Sequence, residues 1–269
     1  MIELFENQLI EQNRQSSKGN QLKWCDGEYW YKADYTGYEG FSEYVISHLL
    51  QKSSLDDSEY VLYETEEIKY NLQVFKGCKS KRFLKDDWQI ITLERLFQSF
   101  MGEGLNKCIY RISGNEERLN FIVEQTERIT GLRDFDKYIC KLLTIDTLFL
   151  NEDRHTHNLA VLMNGKGEYD FCPIFDNGAG LLSDITMDYP LHGNLYELID
   201  KVKPKTFCQN FDEQLECAEK LYGRHMQLYF TKDDVNKLID AVEYDDNIKV
   251  RVKNIIFDRM RTYQYLFER

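Results

Sequence analysis

Three side chains near the middle of the chain have the types and spacing for chemistry on a phosphate. Residues 150–162 read LNEDRHTHNLAVL and residues 172–182 read CPIFDNGAGLL. Asp153 offers a carboxylate that can orient or deprotonate a hydroxyl, while Asn158 and Asp176 offer the oxygens that a hard cation such as magnesium takes. Phosphoryl transfer asks for such a set, because the protein mainly positions the acceptor and neutralises charge. The stretches are joined by Asn164-Gly165-Lys166-Gly167, a turn sequence flanked by extended runs at 158–163 and 168–175. A turn centred between Gly165 and Lys166 sets Asn158 opposite Pro173 and His155 opposite Asp176, which predicts that the three oxygens gather at the open end of one hairpin. His155 and His157 form an HxH pair that could share a zinc ion from one strand face. The other histidines, 48, 192 and 225, fall in unrelated contexts, which weighs against a zinc enzyme. That leaves His155 as a scaffold for the loop and His157 as an exposed or substrate-side residue.

From Asp153 to Asn158 the spacing is D-x-x-x-x-N, that of a protein-kinase catalytic loop, and Asp176 stands where the later metal aspartate would, in a DNG step. Asn151, Asp153, His155, Asn158 and Phe175-Asp176 together resemble the HipA-like serine/threonine kinases. Upstream, residues 16–23 read SSKGNQLK and agree with that family's phosphate loop, S-x-x-G-x-Q-x-K, at Ser16, Gly19, Gln21 and Lys23. A glycine there lets backbone N–H groups come close to phosphates. Lys32 falls where the family places the lysine that pairs with the α- and β-phosphates. Its helix partner would be Glu43, with Glu39 as the competing choice.

The resemblance covers residues 14–50 and 135–182. It implies ATP and Mg²⁺ as cofactors and transfer of the γ-phosphoryl group to a protein serine or threonine. Catalytic roles fall to Asp153, Lys32 and Glu43. Nucleotide contacts fall to Ser17, Lys18, Gly19, Asn20, Gln21, Lys23, Lys32, His155, Asn158 and Asp176, with Asn158 and Asp176 on the metal and Ser16 a candidate for autophosphorylation. It further implies a minimal kinase core without the family's large N-terminal subdomain, and a regulatory or toxin role with an antitoxin or regulator protein as partner. Two other readings stay open. The DNG step suits a pseudokinase or nucleotide-binding regulatory module, and the Asp-Arg-His order also occurs in phosphoinositide kinases, which suits a lipid or small-molecule kinase.

These residues need elements to hold them. Residues 22–34 carry aromatics on both sides of Asp26-Gly27 and predict a hairpin. Phe41, Tyr44, Val45, His48 and Leu49 are spaced for a helix, and residues 60–75 return to short β-rich stretches. From about residue 88 the pattern reads as helices, the clearest over 135–150, with Asp146 close to the apolar face as a brace for the loop or a partly exposed charge. Three more helices are expected over about 212–222, 232–243 with a Thr231 cap, and 246–267. The expected fold is therefore α+β, a bilobal protein-kinase-like fold with a small β-rich N-lobe (1–84), an adenine-binding hinge between residues 74 and 84, and a mainly helical C-lobe (85–269).

Composition narrows the classes. Of 269 residues 42% are hydrophobic, enough for a real core, and the net charge of -12 disfavours direct nucleic-acid binding. Seven cysteines without a CxxC pair suit reduced thiols and a cytoplasmic setting. No apolar run approaches the roughly 18 residues of a membrane span and no targeting segment is visible, so no membrane association is expected.

Overall fold

Around Asp26-Gly27 the chain reverses as its composition predicts, with β2 (Lys23–Cys25) antiparallel to β3 (Tyr29–Ala33). The computed structural model describes residues 1–10 and 21–267. Ser16, Ser17, Lys18, Gly19 and Asn20 of the expected phosphate loop lie outside the described residues. The chain forms two compact units: Met1–Phe83 with Phe175–Val202 and Gln227–Arg269, and Leu84–Ile174 with Lys203–Met226.

In the first unit, β2 and β3 join β1 (Ile2–Glu3), β4 (Tyr63–Tyr70) and β5 (Gln73–Lys81) in one sheet of order β1-β4-β5-β3-β2, with only β1 and β4 parallel. Alternation along the strands divides its side chains between two faces. Trp24, Tyr31 and Ala33 pack with Leu4 and Ile68, whereas Tyr63 and Cys78 pack with Val61, Phe83 and Phe175. Helix α1 (Glu39–Leu50) lies against β4 and β5 and is buried on nearly all sides. It comes this close because two glycines meet: a Cβ on Gly40 would stand 2.5 Å from the carbonyl carbon of Gly77. The unit is completed by α6 (Leu195–Lys201), α8 (Lys232–Asp240) and α9 (Asp246–Thr262). As expected, Thr231 caps α8, in a capping box with Asp234.

The second unit holds α2 (Leu93–Met101), α3 (Leu105–Tyr110), α4 (Asn115–Thr130), α5 (Phe135–Phe149) and α7 (Phe211–Tyr222). Its sheet has order β6-β7-β8, built from Trp88–Thr92, Ala160–Asn164 and Tyr169–Phe171. β6 corrects the helical reading from residue 88. Its five residues, WQIIT, are too few to show a period, and pairing with β7 makes them a strand before Thr92 caps α2. The hairpin register also differs by one residue. Val161 stands opposite Phe171 rather than Asp170, because the loop has three residues, closed by Asn164 N–H to Glu168 O (3.0 Å) with Gly167 at φ +80°. The Asn164 side chain fixes that loop by accepting from Lys166 N–H and Glu168 N–H. Among the described residues no helix is long and apolar enough to cross a membrane.

Candidate active site

Lys32 sits on β3 opposite Cys78 of β5 and Lys23 of β2, on the sheet face turned toward α1. Only 9% of it is exposed. Its Nζ donates to Glu43 Oε1 at 2.6 Å and to Asp176 Oδ1 at 2.7 Å, and it lies 5.1 Å from the centre of the Tyr63 ring. Burial alone would lower the pKa of this ammonium. Asp176 and Glu43 outweigh that and hold its pKa well above the usual lysine value. Glu43 is almost wholly buried on α1, and its second oxygen accepts from Asn177 N–H at 2.9 Å. Asp176 adopts a left-handed backbone, φ +61°, a costly conformation for a non-glycine residue.

Glu43 therefore takes the place for which Glu39 competed. Glu39 accepts from Tyr35, Thr36 and Gly37 N–H instead and secures the turn before α1. Gln21 Nε2 donates to Ala33 O at 2.9 Å, which ties the end of the expected phosphate loop to the strand of Lys32.

A second group lies in the second unit, just after α5. Leu150 ends the helix at φ +55°, and Asp146, one turn earlier, anchors the loop beyond it. The Asp146 carboxylate accepts from Asn151 Nδ2 at 2.9 Å and from Arg154 Nε at 3.1 Å, with Asp146 fully buried and Arg154 1% exposed. Burial pushes Asp146 upward, and Arg154 and Asn151 pull it back. The brace reading of Asp146 is the one the geometry supports.

This frame holds Asp153 and Asn158 together. Asn158 Nδ2 donates to Asp153 O at 2.8 Å and reaches its Oδ2 at 3.3 Å, which leaves the amide Oδ1 as the oxygen to offer a cation. His155 N–H donates to Asp153 O, and its ring Nδ1 accepts from His157 N–H. Burial lowers the His155 pKa, only partly offset by Asp153, so the ring stays neutral near pH 7. The His155 and His157 rings stand edge to face, 5.5 Å apart, and among the described residues no three His, Cys, Asp or Glu side chains are grouped to hold a metal ion.

Lys205 has its Nζ 3.9 Å from Asp153 Oδ1, on a segment tied down by Thr206 Oγ1 donating to Arg154 O at 2.6 Å. The sequence carries no local signal for Lys205, because it stands far along the chain from Asp153.

The donor types suit magnesium rather than zinc: a carboxylate on Asp176 and an amide oxygen on Asn158 are hard oxygen ligands. They belong to different compact units, as do Lys32 and Asp153. Within the first unit the structure brings together Lys32, Glu43 and Asp176, and within the second Asp153, His155 and Asn158.

The fold class is that of the protein kinases, α+β and bilobal in type. One solved structure that shares it is a proinflammatory kinase of Helicobacter pylori, CtkA, matched at TM-score 0.65 and 18% identity over 98% of this chain and 96% of that one. Comparison with families of known proteins gives no match to this sequence, and no curated protein matches it.

Proposed function

We propose that this chain is an ATP-dependent phosphotransferase, and in particular a HipA-like kinase that phosphorylates serine or threonine on a protein. The observation that carries the reading is Lys32, a buried ammonium bridging Glu43 and Asp176 at 2.6 and 2.7 Å. A buried charge cluster is poor value for stability alone. It fits a site that must meet a polyanion, where a lysine aimed by a helix carboxylate handles the nucleotide phosphates. The kinase fold of the Helicobacter protein supports this.

In this reading residues 1–84 act as the nucleotide-handling lobe and residues 85–269 as the lobe with the catalytic loop. Asp153 takes the acceptor's hydroxyl proton as its oxygen bonds to the γ-phosphorus and the bond to the ADP oxygen breaks. His155 N–H and Asn158 Nδ2 bond to the Asp153 carbonyl, and Asn158 Nδ2 also reaches its carboxylate, which keeps Asp153 in place. Lys205 adds positive charge beside it, where transferred negative charge accumulates. Asn158 and Asp176 each offer a hard oxygen to magnesium, which would screen the phosphates.

The test is incubation with γ-labelled ATP and magnesium, with generic protein and lipid acceptors. Labelled protein that disappears in Asp153→Asn supports the proposal. Labelled lipid without labelled protein would reassign the acceptor. A second reading, a module that binds nucleotide without turnover, is favoured by Asp176 being tied to Lys32 in a DNG step. Tight ATP binding with no transfer by wild type would select it.

A further inference from the structure

Glu43 reaches Lys32 only if α1 is correctly seated, and both ends of α1 are held by a distant part of the same unit. At the C-terminal end, Lys52 Nζ pairs with Asp234 Oδ1 of α8 at 2.5 Å, Tyr229 N–H donates to Lys52 O, and Ser54 N–H donates to Gln227 O. At the N-terminal end the contact is Tyr244, in the turn between α8 and α9. Its ring stacks on Phe41 of α1, 4.5 Å between centres and 19° between planes. Its hydroxyl donates to Asp34 Oδ2 at 3.1 Å, and the other oxygen of Asp34 accepts from Gly40 N–H at 2.6 Å. Lys76 of β5 completes the arrangement, with Nζ 4.6 Å from the centre of the Tyr244 ring and donating to Glu243 O at 2.7 Å.

We propose that Tyr244 and Asp34 are positioning residues for phosphoryl transfer: they clamp the first turn of α1 and so set the distance from Glu43 to Lys32. The inference rests on the kinase reading. Glu43 follows Gly40 by three residues, less than one helical turn. A shift of Phe41 and Gly40 therefore moves Glu43 directly, and a displacement of about 1 Å takes a 2.6 Å hydrogen bond beyond bonding range. A clamp also gives a reason for residues from the end of the chain to bracket this helix at both ends.

Asp34 gives the clamp a separate signature. Burial, aided by Glu39, pushes its carboxyl up to about 7 against the opposing pull of Gly40 N–H, Tyr244 and Lys76. These groups, with the buried Cys78 thiol of β5, are the titratable and charged neighbours that face it. Because the closed clamp raises this carboxyl, it favours the protonated form, so the hold of Asp34 on α1 weakens as pH rises toward about 7.

The experiment compares wild type, Tyr244→Ala, Tyr244→Phe and Asp34→Asn by phosphoryl-transfer kinetics and by hydrogen exchange of the amides of residues 39–43. Tyr244→Ala should lose exchange protection there and fall about tenfold or more in kcat/KM for ATP. Tyr244→Phe keeps the ring and should restore most of both. In Asp34→Asn the part of the pH profile due to clamp weakening, a fall in kcat/KM as pH rises toward about 7, should be absent. A folded Tyr244→Ala with wild-type protection and kinetics overturns the clamp and leaves the kinase reading standing, whereas wild type without any transfer overturns the kinase reading and this role with it.

Discussion

Among single residues, the two groups differ in how their charges are held. Lys32 meets two carboxylates at bonding distance, so its replacement by methionine should cut transfer about 100-fold or more. Arginine should not restore it, since a planar fork cannot occupy the place of a compact ammonium. Steady-state rates with γ-labelled ATP check both. Arg154 serves the loop from inside the core. Arg154→Met would leave Asp146 buried without its guanidinium, a loss of about 3–5 kcal/mol that urea denaturation would read. Asp34 predicts a pH effect on stability. Its carboxyl titrates near 3.8 when unfolded and about 7 when folded. The folded state thus binds the extra proton between those values, and the stability due to this group falls as pH rises through that window. Asp34→Asn should remove that slope, so wild type minus variant stability should decline from pH 3.8 to about 7 and then level off. Of these residues Asp153, Asn158 and Asp176 stand out in the sequence through their spacing, and Lys32 and Glu43 through the resemblance to a kinase family. Lys205, Tyr63 and Tyr244 do not, because only long-range folding brings them to their partners.

Among the helices and strands, local chemistry makes most of the structure readable. Asp26-Gly27 signals the β2–β3 hairpin, the apolar spacing of residues 41–49 signals α1, and the Thr231 cap signals α8. The strand β6 is hidden because five residues cannot display a period, and the β7–β8 register is off by one because Asn164 builds a three-residue loop with its own side chain. The meeting of α1 with β5 is equally unreadable, since it depends on Gly40 and Gly77 finding each other across the chain. Gly40→Ala would set a methyl group 2.5 Å from backbone that cannot yield like a side chain. It should cost about 1–3 kcal/mol by overpacking and lower transfer by displacing Glu43, to be measured by thermal unfolding and kinetics on the same sample.

Across the chain as a whole, the two units are strongly discontinuous. Residues 175–202 and 227–269 return to the unit that begins the chain, and residues 203–226 to the other. Periodicity is a local signal and says nothing about such returns, which is why the helices of the tail can be foreseen but not what they hold. The proposed function stands or falls on Asp153 driving transfer of a phosphoryl group from ATP to a protein hydroxyl. Mass spectrometry of wild type and Asp153→Asn, after incubation with ATP, magnesium and a protein acceptor, reads this without intermediaries. Added phosphate on serine or threonine is expected with wild type and none with the variant, both proteins binding nucleotide and unfolding alike. Equal phosphorylation by the two, or none by a wild type that binds ATP, would refute that role.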